Sequence, residues 1–402
     1  MIERIPESNE IVTEKVNQAV GLLKEMDIDI WLLVTSEDGD ARDPVYTMLF
    51  GDQDMSRGLL LLTKNDDRIV IVGQLDAVIP EETGVWDQVI GINNESEMQQ
   101  ALLDTLSRIN PHKIALNYSE RNPKADGLTY GMFRWLTGTL AGTPYMQRMV
   151  SGELLASKLR SKKTPGEVAC IKYAVEKTEN VFESIRPQIK VGLTGKEIHR
   201  MMLDEVDRRG YKTAWSRPIC PVVTVGPVES IGHTPPTDIP LEPGWLLHID
   251  FGVKVNGFCG DIQRMFYALN EGEKEPPVEV QALFSTVRKG VDTIAANLIP
   301  GNPVWLPLEA AKDVMVAGGY ASPKFSAGHH LGRAVHDGAP SLRRYPDSFP
   351  GITIEAGNVF TAEGMENLIE GYGWISLEDD VLVTHQGGKI LNTRQEELWL
   401  IH

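Results

Sequence analysis

The sequence predicts an α+β protein of two domains, an α/β domain over residues 1–155 and a larger domain over residues 156–402. Three observations predict this organisation. Helical and strand-like segments alternate through the first part of the chain, and a polar, basic stretch from Ser151 to Lys163 then precedes a strong helix start. Beyond that point, two pairs of helical segments are each followed by two strand-like segments.

The first domain has the pattern of alternating helices and short buried strands. Apolar residues recur at helical spacing from Ser8 to Met26. The remaining predicted elements are a helix at Glu95–Ile109 and strands at Ile28–Val34, Gly58–Thr63, Arg68–Gly73 and Lys113–Tyr118. The segment contains no Gly-rich phosphate loop and no nucleophile elbow, so we expect a scaffold or dimerisation domain.

The second domain opens with a capping box at Thr164–Glu167, and Thr194 begins a second helix in the same way. Asn256-Gly257 then predicts a hairpin turn between two strands. A second cycle follows, so an internal duplication is our hypothesis. The predicted strands are Trp245–Val255, Phe258–Ala268, Asn358–Glu363 and Gly373–Thr384, and the later helices are Val278–Leu298 and Leu308–Ala317.

Composition excludes several classes of partner. The chain has 56 acidic and 39 basic residues and a formal charge of -17, so its field repels nucleic acid and anionic membranes. Its three cysteines form no disulfide-like or metal-binding pattern, which indicates a reducing compartment. The N-terminus is acidic where a signal peptide would be basic, so we expect a cytoplasmic protein.

The predicted hairpin brings two carboxylates together. If Val255 faces Phe258, then Asp261 faces Gly252 and Asp250 lies diagonal to Asp261. Such a diagonal pair shares one sheet face at a backbone separation of about 7 Å. Two side chains at this separation can converge on metal ions, provided that no bulge near Gly260 alters the register.

The second cycle supplies a similar pair of acids. Glu363 ends one strand, and Glu378 lies among the apolar residues of the next. Four buried carboxylates on facing strands would repel one another unless cations were present. Two divalent ions would neutralise them, and an imidazole from the segment Ser326–Gly332 would complete a site rich in oxygen ligands.

These motifs together resemble the pita-bread metallopeptidases, the family of Xaa-Pro dipeptidases, Xaa-Pro aminopeptidases and methionine aminopeptidases. The resemblance covers roughly residues 157–402, and the two-domain layout resembles the creatinase and prolidase branch with its smaller α/β N-terminal domain. It implies metal ligands in the motifs HIDFG, GDIQR, GHHLG, FTAEG and SLEDD, namely Asp250, Asp261, His329, Glu363 and Glu378.

The resemblance also implies a mechanism and a cofactor. Glu363 would accept and return a proton during attack of water on the amide carbon, and His233 would contact the scissile carbonyl. His336 would line the substrate pocket. The cofactor would be two divalent ions, with manganese expected first and cobalt, zinc or iron as alternatives. The substrate would be a small peptide, and the expected assembly is a homodimer.

Four residues depart from the family pattern, which usually has Thr at Gln263, Glu at Asp337, Pro at Gly364 and often Arg at Ser376. Without that arginine, a dipeptidase needs another cation for the substrate carboxylate, and Arg343 is our candidate, with Arg333 and Arg344 as alternatives.

The leading hypothesis is an Xaa-Pro dipeptidase. The alternatives are an Xaa-Pro aminopeptidase, a hydrolase of a small non-peptide amide or amidine, and a peptide-binding module without catalysis.

Overall fold

The computed structural model describes residues 5–36, 43–227, 231–232, 234–323, 325–338, 340–344 and 353–402. The chain divides into two units, Pro6–Gly166 and a second unit that contains Glu167–His402. Helix α6 of the first unit spans the predicted boundary at residue 155, and its Leu155 and Leu159 belong to the apolar core of that unit. No helix in the described ranges is both long enough and apolar enough to cross a membrane.

The first unit is built on one six-stranded mixed sheet in the order β4-β3-β2-β1-β5-β6. The strands are β1 Ile30–Thr35, β2 Gly58–Thr63, β3 Arg68–Gly73, β4 Gln88–Ile92, β5 Ile114–Leu116 and β6 Met149–Ser151. The helices are α1 Ser8–Glu25, α2 Tyr46–Leu49, α3 Val78–Thr83, α4 Glu95–Ile109, α5 Tyr130–Thr139 and α6 Glu153–Ser161. Each face of the sheet contributes to its own apolar core, which is why β1 and β2 are buried at every position.

Four further helices belong to the second unit, and the first of them begins two residues before Glu167. They are α7 Pro165–Ile185, α8 Gly195–Arg208, α9 Val278–Asn297 and α10 Leu306–Ala317. The capping box predicted at Thr194 is present, because its hydroxyl accepts from the N–H of Glu197 and the Glu197 carboxylate accepts from the N–H of Thr194. The predicted order of two helices and then strands occurs twice, while a twofold relation between the two cycles stays a hypothesis.

The strands of the second unit form several small sheets. Their bounds are β7 Lys212–Thr213, β8 Val222–Val225, β9 Leu246–Phe251, β10 Val253–Val255, β11 Phe258–Cys259, β12 Ile262–Ala268, β13 Val359–Ala362, β14 Asn367–Ile369, β15 Gly373–Ile375, β16 Asp379–Thr384, β17 Gly387–Ile390 and β18 Trp399–Ile401. The main sheets have the orders β18-β12-β9-β8 and β13-β16-β17. An isolated bridge between Gln263 and Glu378 connects these two sheets.

The predicted hairpin register is confirmed. Val255 pairs with Phe258 and Asp250 pairs with Gln263, so the same register continues from the turn into β9 and β12. Both predicted strands of the hairpin, Trp245–Val255 and Phe258–Ala268, are nevertheless each divided in two. The first divides at Gly252, where a Cβ would lie 1.9 Å from the carbonyl oxygen of Gly260, and the chain exchanges one set of strand partners for another.

The predicted strand Gly373–Thr384 was wrong in the same way. Its first part pairs with β14 and its last part pairs with β13 and β17, so the residues between them belong to neither ladder. Glu378 is one of these intervening residues, and it closes the isolated bridge to Gln263 instead. Alternation of apolar residues continued across this change of partners and therefore concealed it.

Candidate metal centre

Asp250 and Asp261 reach one cavity from the two arms of the hairpin. Asp250 lies near the end of β9, and Asp261 directly precedes β12. The N–H of Asp261 donates to Oδ2 of Asp380 at 3.0 Å, which fixes the backbone from which its carboxylate projects. Both aspartates line the cavity, as the predicted diagonal pair requires.

Glu363, Glu378 and His329 approach from the second strand cycle. Glu363 directly follows β13 and Glu378 directly precedes β16. Nε2 of His329 lies 3.3 Å from Oε1 of Glu363 and 3.7 Å from Oδ2 of Asp261. Ligand atoms of Asp261, His329 and Glu378 all lie within 4.8 Å of one another. The five residues predicted as ligands therefore line one cavity of about 430 Å³.

The position of His329 depends on close contact between two backbones. Its N–H donates to Oγ1 of Thr361 at 3.1 Å, and the N–H of Thr361 donates to the carbonyl of His329 at 2.9 Å. The preceding Gly328 has φ +140°, and a Cβ there would lie 2.0 Å from the Thr361 carbonyl. Nδ1 of His329 lies 3.3 Å from the His330 carbonyl, and a proton on Nδ1 would leave Nε2 able to bind a metal.

The buried carboxylates are electrostatically unfavourable without cations. Burial and the nearby charge of Glu363 raise the pKa of Asp250 to about 8. Burial, together with the other acids of the cavity, raises the pKa values of Asp261 and Glu378 well above their usual range. Within the described part of the chain, one buried oxygen of each of Asp250, Asp261 and Glu378 has no hydrogen-bond partner. Such orphaned oxygens, near an imidazole nitrogen, fit divalent metal ions.

Gln263 connects two of these carboxylates. Its Nε2 donates to Oε2 of Glu378 at 2.9 Å and to Oε2 of Glu363 at 3.2 Å. Its Oε1 accepts from Oγ of Ser376 at 2.5 Å and lies 3.1 Å from Nε2 of His248. Burial lowers the pKa of His248 to about 4, so this imidazole is neutral at neutral pH.

The predicted substrate-contacting residues have different placements. His336 lines the cavity, and its ring lies 4.2 Å from the His329 ring, between centroids, at an interplanar angle of 71°. His233 lies outside the described residues. Arg343 is exposed and does not line the cavity, which has no lysine or arginine among its described lining residues.

The two alternative arginines also point elsewhere. The guanidinium of Arg333 lies 4.8 Å from the centroid of the Phe258 ring, and that of Arg344 lies 4.3 Å from the centroid of the Trp305 ring. Arg344 also forms an ion pair with Glu309 at 3.5 Å. Neither Arg333 nor Arg344 is among the described residues that line the cavity.

Sequence reasoning missed two titratable residues of the cavity, His248 and Glu366. His248 lies two residues before Asp250 on β9, and this period of two was a usable signal. Glu366 had no such signal, because it follows Gly364, which adopts φ +90°. Proline fixes φ near −65°, so the chain after Glu363 cannot follow the path that the family's usual proline would impose.

In sequence and in structure, this chain is similar to peptidases. The model of metallopeptidase family M24 matches residues 169–385. A methionine aminopeptidase of Rickettsia prowazekii is 30% identical over 34% of this chain, and the match spans 50% of that protein's length.

The fold is that of two-domain peptidases. An Xaa-Pro dipeptidase from Bacillus anthracis has a TM-score of 0.74 at 19% identity and covers 97% of this chain and 100% of its own. An X-Pro aminopeptidase from Thermotoga maritima has a TM-score of 0.70 at 22% identity and covers 96% and 99%.

Proposed function

We propose that this chain, which belongs to metallopeptidase family M24 and has the two-domain pita-bread fold, is a dinuclear metal-dependent hydrolase. The proposed reaction is cleavage of the Xaa-Pro bond of dipeptides. One observation carries the proposal: Asp250, Asp261 and Glu378 line the same cavity as His329, and each has one buried oxygen without a hydrogen-bond partner among the described residues. Within a metallopeptidase family, such a set of groups is best explained as a metal centre.

The proposed ligands are Asp250, Asp261, His329, Glu363 and Glu378. Four ionised carboxylates carry four negative charges, which two divalent ions would balance, and manganese is our first choice with cobalt, zinc and iron as alternatives. When bound, these ions would supply Lewis acidity at the carbonyl oxygen and make water a stronger nucleophile at neutral pH.

The chain's own residues would position the substrate and move the proton. Glu363 is the proposed proton acceptor and donor, as the family resemblance implies, and its half-buried carboxylate is held by hydrogen bonds from Oγ1 of Thr361 at 3.3 Å and from Gln263. His336 would contact the substrate from the cavity wall. The role proposed for His233 at the scissile carbonyl still depends on the family resemblance.

Proline specificity is supported by the apolar part of the cavity. Trp215, Ile219 and Val222 line it together with Val335, and aliphatic and aromatic side chains of this kind suit a pyrrolidine ring. The substrate carboxylate of a dipeptide would require a cation, and Arg343 remains the proposed partner. Arg343 would have to reach the substrate from outside the described lining.

The charge of the cavity wall favours a second candidate, an Xaa-Pro aminopeptidase or a hydrolase of a small cationic amide or amidine. The described lining contains Glu366 in addition to the four acidic ligands, and no basic residue other than histidine. With the four ligand charges balanced by two divalent ions, the carboxylate of Glu366 would remain, and it would attract an ammonium or amidinium group and repel a free carboxylate. Longer peptides place their C-terminal carboxylate away from the cleaved bond and avoid that repulsion.

A substrate screen tests both candidates. The protein, loaded separately with Mn(II), Co(II) or Zn(II), would be given Xaa-Pro dipeptides, longer Xaa-Pro peptides and small cyclic amides or amidines. The proposal expects turnover of Xaa-Pro dipeptides that Asp261→Ala abolishes. Turnover only of longer peptides or of an amidine would refute the dipeptide as substrate and support the second candidate. An absence of metal binding would favour a peptide-binding module. Light scattering would test the proposed homodimer.

A further inference from the structure

Gln263 occupies a buried position between the two halves of the candidate metal centre. It pairs with Asp250 in the β9–β12 ladder, and its backbone N–H approaches the Glu378 carbonyl at 3.4 Å. The side chain therefore extends from one sheet toward carboxylates that come from the other. Its amide nitrogen donates hydrogen bonds to both Glu363 and Glu378.

The orientation of this amide is determined by its other contacts. Ser376 donates to Oε1 of Gln263, which directs Nε2 toward the carboxylates. The opposite orientation would place the amide oxygen against two carboxylate oxygens and would leave Nε2 facing the hydroxyl of Ser376 and Nε2 of His248. A carboxylate can only accept, so the observed orientation is the favourable one.

The hydrogen bonds from Gln263 hold one oxygen of each glutamate. Oε2 of Glu378 accepts from Gln263, while its buried Oε1 has no hydrogen-bond partner among the described residues. Oε2 of Glu363 also accepts from Gln263, while its Oε1 accepts from Oγ1 of Thr361 at 3.3 Å and lies 3.3 Å from Nε2 of His329. Neutral Gln263 thus fixes both carboxylates without adding a charge that would compete with a cation.

We propose that Gln263 is a positioning residue that preorganises Glu363 and Glu378 for metal binding, and that Ser376 fixes the direction of its amide. Groups that orient metal ligands in this way commonly contribute about 10- to 100-fold to metal affinity. The inference rests on the proposed metal centre. It also gives a reason why Gln263 and Ser376 occur together in this chain, since each satisfies the other.

Metal affinity of the full chain tests the inference directly. Titration calorimetry with Mn(II) would compare the wild-type protein with Gln263→Met, which keeps the length of the side chain but removes its hydrogen bonds. The expected result is a loss of affinity of about 10- to 100-fold. Ser376→Ala should weaken binding by a smaller factor, because it releases the amide without removing it.

Gln395→Met is the matched control. Gln395 is also buried, and its amide makes two hydrogen bonds, from the N–H of Met265 at 2.9 Å and to the Met265 carbonyl at 2.7 Å, outside the lining of the cavity. It should lower the stability of the fold and leave Mn(II) affinity unchanged.

Equal affinity of wild-type and Gln263→Met protein would overturn the inference, and so would an equal loss in Gln395→Met. If Gln263→Met does not fold, Ser376→Ala decides the question, and unchanged Mn(II) affinity in that variant overturns the inference. A wild-type chain that binds no Mn(II), Co(II) or Zn(II) would refute the proposed function itself, which separates the two failures.

Discussion

Asp250→Asn is expected to stabilise the metal-free protein at alkaline pH and to remove most of its stabilisation by divalent metal. The physical reason is the pKa of Asp250, which burial and Glu363 raise to about 8 from an ordinary value of 3.8. A group whose pKa is higher in the folded state favours folding when protonated. The folded protein therefore loses stability as pH rises from about 4 to about 8, where the buried carboxylate ionises.

The magnitude follows from the difference between the two pKa values. A rise from 3.8 to about 8 corresponds to roughly 6 kcal/mol at alkaline pH, at about 1.4 kcal/mol for each pKa unit. Asparagine removes this cost but still buries an amide, which costs about 1–3 kcal/mol where a partner is missing. The net gain for the metal-free variant should be about 3–5 kcal/mol near pH 8, whereas near pH 4 the cost of the buried amide remains and the variant should be less stable than the wild-type protein by about 1–3 kcal/mol.

Urea denaturation of chelator-treated protein between about pH 4 and pH 8 would measure the effect, with and without Mn(II). Asp52→Asn is the control, because Asp52 is exposed on the first unit and the same chemical change there should leave the pH profile unaltered. If metal-free wild-type protein became more stable from pH 4 to pH 8, or if Asp250→Asn were the less stable protein at pH 8, the reasoning would be refuted.

Three further changes have expected outcomes. Arg343→Ala should raise KM for Xaa-Pro dipeptides and leave KM for longer peptides unchanged. Equal KM values of the wild-type protein and Arg343→Ala for dipeptides would exclude the proposed carboxylate contact. Glu366→Gln should raise KM for substrates with a free ammonium group more than for uncharged amides, because the cavity wall loses its additional charge. Glu205→Gln should lower the unfolding free energy by about 2 kcal/mol at pH 7 and by almost nothing near pH 2, because Arg208 and Arg209 lower the pKa of Glu205 to about 2. Urea denaturation at both pH values checks this last expectation, which a constant difference would contradict.

The hairpin was predictable because its information is local. Asn256 and Gly257 both adopt positive φ, at 50° and 79°, as a two-residue turn of this kind requires, and that turn then fixes the pairing of Asp250 with Gln263. The side-chain period of two carried the prediction from the turn to the carboxylates. No residue elsewhere in the chain needed to be known.

Elements that depend on distant partners were not predictable in the same way. Strands β4 and β6 were missed, since each lies at an edge of the six-stranded sheet and is only partly buried, so neither has a strong apolar pattern. The break between β15 and β16 was missed because it reflects pairing with β14 on one side and β13 on the other. The role of Gln263 likewise depends on contacts with residues a hundred or more positions away.

The three consecutive acidic residues Glu378, Asp379 and Asp380 allow a comparison that bears on the metal hypothesis. All three side chains are buried, yet the fold treats them differently. Asp379 is neutralised by Arg288 at 2.5 Å and Arg264 at 3.4 Å, as expected for a buried charge with a purely structural role.

Asp380 accepts a hydrogen bond from the backbone N–H of Asp261. Glu378 instead lines the cavity with Asp261 and the other acids, and the described lining residues include no basic side chain except histidine. A chain that supplies two arginines to one buried acid can neutralise charge from its own residues. It does not do so one residue earlier, so the missing positive charge at Glu378 is best supplied by bound cations.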